Sequence, residues 1–344
     1  MCIFVEVLSN ITNKGNYLNL NMKSVQFAKT GIPEEVLQVV ETTLREPNAG
    51  EVRVKMKACS INPSDLMYVN GLYGLSADLP AVGGFEGTGV IDKVGEGVEL
   101  PVGMRVAFIS AGTWQEYVIA PAKVLVPIPD SMNDATACQA FVNPMTAHAM
   151  LEESGLKAGD WLMLTAGASA FGKFVVQMCK ERGIQTVCTV RRDTHVSLLK
   201  GIGATAVINT ETEHIGRSVK RITNGKGVDY VFEAVAGRLG SRALYCLKPG
   251  GTMLVYGALS LEDIAVGGGL LIFRNLTIKG FWLTTWMRMQ TGATLRKAIG
   301  HVFEQLSSDN LNAAVEASYP IDAIQEAVRH SALPGRQGKI ILTF

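Results

Sequence analysis

Six residues between a predicted strand and a predicted helix have the spacing of a dinucleotide-binding turn. The turn consists of Gly167, Ala168, Ser169, Ala170, Phe171 and Gly172. An apolar run precedes it and a helical pattern over residues 172–182 follows it. Small residues in such a turn let backbone N–H groups approach a pyrophosphate at the helix N-terminus. The same spacing occurs in tight turns that bind nothing, so it is the strand–turn–helix context that favours a cofactor site.

The residues after the next predicted strand, 185–190, indicate which dinucleotide is bound. An NAD site carries an acid there, about 20 residues past the glycine turn, to hold the ribose 2′-hydroxyl. Here Arg191 and Arg192 come first, and guanidinium groups match a 2′-phosphate. The sequence therefore predicts NADPH as the cofactor. Two alternatives stay open: both arginines are solvated surface residues, or Asp193 binds the ribose.

Length and composition limit the class of protein. The 344 residues are 47% hydrophobic and 18% charged, which allows two domains with sizeable cores. A net charge of +1 provides no global attraction to nucleic acid or to an anionic membrane, and no run of 18 apolar residues predicts a spanning helix. The six cysteines lack C-x-x-C spacing. They are interpreted as reduced thiols of a cytoplasmic protein.

The composition and the pattern of predicted secondary structure change along the chain. Residues 1–21 are Asn-rich, have one lysine and no arginine, and are predicted to be a disordered extension rather than a transit peptide. Residues 22–145 combine period-two alternation with frequent glycines, which predicts a β-rich domain. Strands and helices alternate over residues 146–286, which predicts a doubly wound parallel sheet. Residues 287–344 are expected to return to the first domain and to end in the strand KIILTF.

Several stretches together resemble the medium-chain dehydrogenase/reductase superfamily. They are NPSD (62–65), GGFEGTGVIDKVGEGV (83–98), the Gly167–Gly172 turn, KGVDYVFEAVAG (226–237) and LKPGGTMLVYG (247–257). The resemblance covers residues 22–344. It implies an α/β protein in which a GroES-like β-rich catalytic domain accompanies a Rossmann cofactor domain, and in which the chain forms a homodimer through residues 264–273.

Two substitutions place the chain in the branch of that superfamily that works without zinc. Catalytic zinc needs three protein ligands, usually Cys or His. Asn62 stands where the zinc-dependent members have a cysteine, and Phe85 stands where they have a histidine. The four-cysteine structural zinc lobe is absent as well. No metal is therefore expected, and the neighbouring Glu86 is interpreted as a hydrogen-bonded structural acid.

Within the zinc-free branch, the sequence is most similar to the 2-enoyl thioester reductases, with quinone oxidoreductases next. The stretches that favour this branch are NGLYG (70–74), GTW (112–114), VNPMTA (142–147) and GFWLTTW (280–286). The resemblance implies that Tyr73 and Asn62 face the nicotinamide and the substrate carbonyl. It also implies a set of further site residues. Those at the cofactor are Thr146, Gly257, Phe281 and Trp282, and those lining the substrate channel are Trp114 and Trp286. For Trp282 and Trp286, packing in the core or at a dimer contact is an open alternative.

The predicted reaction is reduction of an activated C=C bond. Hydride delivery to Cβ of an enoyl thioester places negative charge on the thioester oxygen, and a donor aimed at that oxygen lowers the barrier. A tyrosine hydroxyl with a pKa near ~10 stays protonated at neutral pH and can donate. Two alternatives remain: an NADPH:quinone oxidoreductase, and an NADPH-binding structural or regulatory protein without turnover.

Overall fold

The fold, obtained as a computed structural model, is described here for residues 21–344. The predicted disordered extension therefore lies outside the described residues, apart from Asn21, which begins the first strand. Among the described helices, none combines the length and the hydropathy that crossing a bilayer would require.

The first part of the chain forms a β-rich domain. Its strands are β1 (Asn21–Phe27), β2 (Gln38–Thr43), β3 (Glu51–Ser60), β4 (Ala81–Val82), β5 (Glu86–Val94), β6 (Arg105–Ile109), β7 (Tyr117–Pro121) and β8 (Val126–Pro127). Three short helices accompany them: α1 (Pro33–Val36), α2 (Pro63–Asn70) and α3 (Asp134–Ala137). β1 lies between β2 and β4 in a small antiparallel sheet. β3 pairs with β5 and β7, and β5 continues through β6 to β8.

A parallel-sheet domain follows. Its strands are β9 (Trp161–Leu164), β10 (Gln185–Val190), β11 (Ala206–Asn209), β12 (Val228–Glu233), β13 (Leu247–Val255) and β14 (Thr277–Gly280). Its helices are α4 (Val142–Ser154), α5 (Ala170–Arg182), α6 (Val196–Ile202), α7 (Ile215–Ile222), α8 (Gly237–Ala243), α9 (Gly268–Arg274), α10 (Leu283–Met289) and α11 (Gly292–Ser307). The strand order is β11-β10-β9-β12-β13-β14, and every pairing is parallel.

Alternation along these strands explains why helices cover both faces of the sheet. Leu162 and Leu164 belong to a core that includes α4, α5 and α11, whereas Met163 between them belongs to the core under α7 and α8. Because successive residues of a strand point to opposite faces, two apolar layers form. The predicted doubly wound sheet is therefore confirmed.

The C-terminal segment returns to the β-rich domain later than residue 287. Helix α11 buries Ala298, Val302, Phe303 and Leu306 in the core of the parallel-sheet domain. The return begins with β15 (Val315–Pro320), continues through α12 (Ile324–Ala332) and ends with β16 (Lys339–Thr343). β16 pairs antiparallel with β3, and β15 pairs parallel with β16. The apolar stripe of α11 keeps it on the sheet that it covers, which accounts for the difference from the predicted boundary.

Candidate active site

Tyr73 lies just beyond α2, facing the parallel-sheet domain. Helix α2 ends at Gly71, whose left-handed conformation (φ 75°) turns the chain back two residues before Tyr73. The half-buried Tyr73 ring packs on Phe85, with 5.2 Å between ring centroids. Its Oη accepts a hydrogen bond from Nε1 of Trp282 at 3.0 Å. Burial raises the pKa of the Tyr73 hydroxyl, so this group carries its proton at neutral pH.

Trp282 determines which hydrogen-bonding capacity of Tyr73 remains. An indole N–H can only donate, so the Tyr73 oxygen is the acceptor in this bond and its own O–H is left for another partner. Trp282 immediately precedes α10 and follows Phe281, whose N–H donates to the Val255 carbonyl at 2.8 Å. The Trp282 ring also lies against Gly74. The two predicted site residues are therefore brought together: Trp282, predicted to lie at the cofactor, is hydrogen-bonded to Tyr73.

Asn62 is buried and hydrogen-bonded to saturation, which contradicts its implied role at the substrate. Its side chain is 1% exposed. Nδ2 donates to Ser60 Oγ and to Glu86 Oε1, both at 2.8 Å. Oδ1 accepts from Asn143 Nδ2 at 3.0 Å and from the Lys339 ammonium. An amide has two donor hydrogens and two acceptor lone pairs, so none remains for a ligand. Asn62 is a structural residue of the interior rather than a group that touches substrate.

A buried polar network surrounds Asn62 and joins the two domains. Glu86 Oε2 accepts from the backbone N–H groups of Phe141 and Val142, at 3.1 and 2.8 Å, where α4 begins. This agrees with the interpretation of Glu86 as a hydrogen-bonded structural acid. Lys339 Nζ also donates to the Ile61 carbonyl at 3.0 Å. Sequence reasoning missed Lys339, because nothing in KIILTF marks its first residue as buried.

Two members of this network have displaced pKa values. Asp65 accepts the Asn62 N–H at 2.6 Å through Oδ2, while its Oδ1 is buried without a hydrogen-bond partner. Burial raises the pKa of the Asp65 carboxyl to about 7, and burial lowers the pKa of the Lys339 ammonium to about 8. Desolvation disfavours both charged forms, and the opposite charges partly offset it.

The two tryptophans predicted to line the substrate channel lie in the core instead. Trp114 has no exposed surface, and its Nε1 donates to the Ser60 carbonyl at 3.2 Å. It fills the space above Gly84, where an added Cβ would lie 2.3 Å from Trp114 Cδ1. Trp286 is 9% exposed and packs in the core of the parallel-sheet domain. Apolar packing explains both positions, which corrects the prediction.

The glycine turn has the form that the sequence predicts. Ser169 is the N-cap of α5, and its side chain accepts from the Gly172 N–H at 3.0 Å. A Cβ on Gly172 would lie 2.4 Å from the Gly167 carbonyl oxygen, so only glycine permits this close approach. Phe171 is buried, and its ring lies 4.2 Å from that of Tyr256. Its bulk is therefore accommodated in the interior.

Two of the remaining predicted cofactor residues lie where the parallel strands end, the usual location of ligands in such sheets. Gly257 and Phe281 follow β13 and β14. Thr146 lies in the first turns of α4 and donates to the Val142 carbonyl. The same edge holds Glu233, which sequence reasoning missed. Its Oε1 accepts from two backbone N–H groups after β12, and its buried Oε2 has no hydrogen-bond partner.

Positive groups gather at the end of β10. Arg191 and Arg192 are exposed there, and Arg192 reaches the loop at Gly335, where an added Cβ would lie 2.3 Å from its Nη1. His195 is 7% exposed, its Nδ1 has no hydrogen-bond partner, and burial lowers its pKa. Asp193 accepts from Asn209 Nδ2 at 2.8 Å. The two exposed guanidinium groups fit a phosphate, and Oδ1 of Asp193 already accepts one hydrogen bond from the protein.

No grouping of three or more His, Cys, Asp or Glu side chains within residues 21–344 is arranged to hold a metal ion. At the positions where zinc-dependent members of the superfamily have Cys and His, Asn62 is hydrogen-bonded on all sides, and Phe85 packs against Tyr73. The donors of this region are committed to one another.

Comparisons with known proteins agree with this geometry. Residues 48–130 match the alcohol dehydrogenase GroES-like domain, and residues 170–298 match the zinc-binding dehydrogenase domain. The mitochondrial enoyl-[acyl-carrier-protein] reductase of Xenopus tropicalis is 32% identical over 95% of this chain and 96% of its own. Its Arabidopsis thaliana counterpart is 31% identical over 94% and 88%.

Solved structures with the same fold include quinone reductases. A putative NADPH:quinone reductase from Bacillus thuringiensis superimposes with a TM-score of 0.90 at 31% identity, over 94% of this chain and 99% of its own. Escherichia coli quinone oxidoreductase, solved with NADPH, has a TM-score of 0.87 at 27% identity, over 94% and 100%. The chain is an oxidoreductase that binds NADP(H), and it belongs to the medium-chain dehydrogenase/reductase superfamily, in the branch of enoyl reductases and quinone oxidoreductases.

Proposed function

We propose that the protein reduces trans-2-enoyl thioesters with NADPH to the saturated acyl thioesters. The observation that carries this proposal is the Tyr73 hydroxyl. It lies between the two domains, and Trp282 occupies its oxygen as an acceptor, so its hydrogen is free to donate. Hydride addition to an enoyl thioester concentrates the developing charge on its single carbonyl oxygen, which one hydroxyl donor can stabilise.

Each step of the proposed reduction is assigned to particular residues. Bound NADPH supplies the hydride that adds to Cβ. Tyr73 donates a hydrogen bond to the thioester oxygen, where negative charge develops as the double bond moves toward an enolate. The proton that completes Cα comes from Tyr73, directly or through a water, and solvent returns it to the phenol. The N-terminus of α5 and the ends of the parallel strands hold the dinucleotide in place.

Two cationic groups support NADPH over NADH. Arg191 and Arg192 follow the end of β10 and are exposed, so both guanidinium groups can donate to a 2′-phosphate. Replacing both arginines, Arg191→Ala with Arg192→Ala, should weaken NADPH binding about 10- to 100-fold, because a charged hydrogen bond contributes about 1.5–3 kcal/mol. NADH binding should stay unchanged. Fluorescence titration with both nucleotides measures the preference, and Asp193→Asn is the control. Equal loss for both nucleotides would remove the arginines from the 2′-phosphate site.

A substrate panel tests the reaction itself. NADPH oxidation is followed at 340 nm with trans-2-decenoyl-CoA, with the saturated decanoyl-CoA as matched control, and with a benzoquinone. Turnover of the enoyl thioester alone, or far above the quinone, supports the proposal. Turnover of the quinone alone makes the protein an NADPH:quinone oxidoreductase, the function named in the structures that it superimposes on. Tight NADPH binding without any turnover indicates a structural or regulatory protein.

We also propose that the protein is a homodimer. Helix α9 exposes Ile272 and Phe273, at 73% and 86%, next to the edge strand β14. A second copy would cover both the apolar side chains and the unpaired strand edge. Light scattering of the purified chain and of Phe273→Asp measures the mass, and a monomeric wild type would refute the proposal. The cytoplasmic location stays a prediction, because the named enoyl reductase relatives are mitochondrial proteins.

A further inference from the structure

Residues 234–236 form a turn at the point where the order of the parallel strands reverses. The chain runs from β9 to β10 on one side of β9, and β12 lies on the other side. Ligands of doubly wound sheets bind in the crevice beyond the carboxyl ends of two such strands. The Gly167–Gly172 turn after β9 forms one side of this crevice, and the segment after β12 forms the other. We call residues 234–236 the β12 turn.

The β12 turn contains a strained residue. Ala236 has φ 64° and ψ −155°, a conformation that is open to glycine and costly for a residue with a Cβ. Its side chain is buried. Strain of this kind persists only where the surroundings impose it, and it concentrates at ligand sites. The conformation of Ala236 therefore requires contacts that fix the backbone of the turn.

Glu233 provides two of these contacts. Its side chain is fully buried, and its Oε1 accepts hydrogen bonds from the N–H groups of Val235 and Ala236, at 2.5 and 2.7 Å. Its Oε2 is buried without a hydrogen-bond partner. An unsatisfied buried oxygen costs stability, so stability alone does not account for a carboxyl group at this position.

The β12 turn is packed between two segments that are predicted to hold the cofactor. The Ala234 N–H donates to Oγ1 of Thr165 at 2.8 Å, two residues before Gly167. On the other side, a Cβ added to Gly257 would lie 2.9 Å from the Ala234 carbonyl oxygen. Within the turn, Ala234 and Ala236 are buried and Val235 is half-buried. The turn thus lies at the middle of the edge where the parallel strands end.

The nicotinamide half of the dinucleotide passes the β12 turn in the proposed orientation. Arg191 and Arg192, at the end of β10, are assigned to the adenosine 2′-phosphate, and the N-terminus of α5 is assigned to the pyrophosphate. Tyr73 is hydrogen-bonded to Trp282, which lies beyond β14. The other half of the dinucleotide must therefore run from β9 toward β14 and cross the ends of β12 and β13.

We propose that Glu233 is a positioning residue for the nicotinamide half of the cofactor. It holds the β12 turn in its strained conformation before the cofactor binds, and the backbone of the turn then contacts the cofactor. A segment that is ordered in advance raises affinity, because binding no longer bears the cost of ordering it. The inference rests on the proposed function, since the places assigned to Tyr73 and to the two arginines orient the dinucleotide.

Calorimetric titrations with three nucleotides test the proposal. NADPH and NADH both contain the nicotinamide half, whereas adenosine 2′,5′-bisphosphate contains only the adenosine half with its 2′-phosphate. Glu233→Ala removes the acceptor of both N–H groups. Glu233→Gln keeps an acceptor oxygen on a side chain of the same length. Glu304→Ala, which changes an exposed acid on α11 of the same domain, is the control.

The expected result is a loss confined to the nucleotides that contain nicotinamide. Glu233→Ala should weaken the binding of NADPH and of NADH about tenfold or more, because the β12 turn must then be ordered on binding. Its affinity for adenosine 2′,5′-bisphosphate should equal that of wild type. Glu233→Gln should recover most of the NADPH affinity, and Glu304→Ala should match wild type. The arginine variant, by contrast, should lose affinity for NADPH alone.

Ala236→Gly tests the strain directly and keeps the proposal testable if Glu233→Ala does not fold. Glycine adopts the φ and ψ of Ala236 without strain, but it leaves the turn more mobile. The urea midpoint should therefore equal or exceed that of wild type, while the affinity for NADPH should fall about threefold. A more stable variant with unchanged or tighter NADPH binding would show that the strain does not serve the cofactor site.

Two results of the nucleotide titrations overturn the role of Glu233. An equal loss for all three nucleotides would show that Glu233 maintains the parallel-sheet domain as a whole. Unchanged NADPH binding by a folded Glu233→Ala variant would show that the β12 turn takes no part in holding the cofactor. None of these titrations contains an acyl substrate, so a failure of enoyl reduction would be seen separately, in the substrate panel.

Discussion

Tyr73 and Asn62 lie 11 positions apart in the same domain, and family resemblance implies catalysis for both, yet their surroundings are opposite. Tyr73 is half-buried and has one hydrogen bond, which leaves its proton free. Asn62 is 1% exposed and has used every hydrogen-bonding position of its amide. A polar residue near a cleft is available for chemistry only if its hydrogen-bonding capacity is not already satisfied by the protein.

The buried polar cluster around Asn62 lies where the two domains meet. Around Asn62, the interior holds two carboxyl groups, Asp65 and Glu86, and one ammonium group, Lys339. Glu86 bonds backbone N–H groups where α4 begins, so this cluster joins the β-rich domain to the parallel-sheet domain. We infer that the cluster stabilises the arrangement of the domains, while Tyr73 and Trp282 provide the chemistry between them.

Removing the cation from the buried cluster of Asn62, Asp65, Glu86 and Lys339 should have the largest effect, a loss of stability. Lys339→Met keeps the length of the side chain and leaves Asp65 and Glu86 without a buried partner of opposite charge. Leaving a buried charge uncompensated costs about 3–5 kcal/mol, so the free energy of unfolding in urea at pH 7 should fall by up to that amount. The exposed pair Lys93–Glu46 provides the control. Lys93→Met should change stability by about 0.5 kcal/mol or less, and equal effects of the two variants would contradict the special role of Lys339.

Removing the hydroxyl of Tyr73 should lower turnover and leave folding intact. Tyr73→Phe deletes the donor to the thioester oxygen, and the loss of one such donor lowers kcat about 10²- to 10³-fold. The affinity for NADPH and the urea midpoint should match wild type. Tyr68→Phe, in the same segment and packed on Phe85, is the control and should keep its activity. If Tyr73→Phe turns over normally, the free hydroxyl is not the donor.

The parts of this arrangement that the sequence predicted are the local ones. The Gly167–Gly172 turn and α5 follow from neighbouring residues, as does the alternation of strands and helices. The contacts that decide function are long-range: Trp282 and Tyr73 are 209 positions apart, and Lys339 and Asn62 are 277 apart. No local pattern shows which polar group a distant side chain will occupy. The sequence therefore predicts site roles for Asn62, Trp114 and Trp286, whereas hydrogen bonds hold Asn62 in the interior and apolar packing holds the two tryptophans there.

In the buried cluster around Asn62, Asp65 should make the free energy of unfolding depend on pH. Burial raises the pKa of its carboxyl to about 7, well above the usual value, so the folded protein binds a proton there that the unfolded chain has released. The stability that this proton provides is present below about pH 4 and is lost as the pH rises through 7.

Asp65→Asn cannot ionise, so its pH profile isolates this contribution. Between pH 5 and pH 8, the stability of the variant relative to wild type should rise by about 1–3 kcal/mol. Comparing the two pH values cancels any constant cost of the new amide. Urea titrations at both pH values measure the change, with the exposed Asp130→Asn as control. A constant difference between variant and wild type would mean that Asp65 is ionised throughout.

The smallest expected effect concerns the hydrogen bond between Trp282 and Tyr73. An N–H donated to the Tyr73 oxygen polarises the O–H and makes it a better donor, and the same bond lowers the pKa of the hydroxyl against the effect of burial. Trp282→Phe keeps an aromatic ring and removes that N–H. A neutral hydrogen bond contributes about 0.5–1.5 kcal/mol, so kcat should fall about 2- to 10-fold.

The double variant with Tyr73→Phe distinguishes this role from simple packing at the cofactor. If Trp282 acts through the tyrosine hydroxyl, its replacement costs nothing further once that hydroxyl is gone, because contacting residues in one hydrogen bond are not additive. A second, independent loss in the double variant would assign Trp282 to the cofactor alone and leave Tyr73 to be oriented by Phe85 and its own loop.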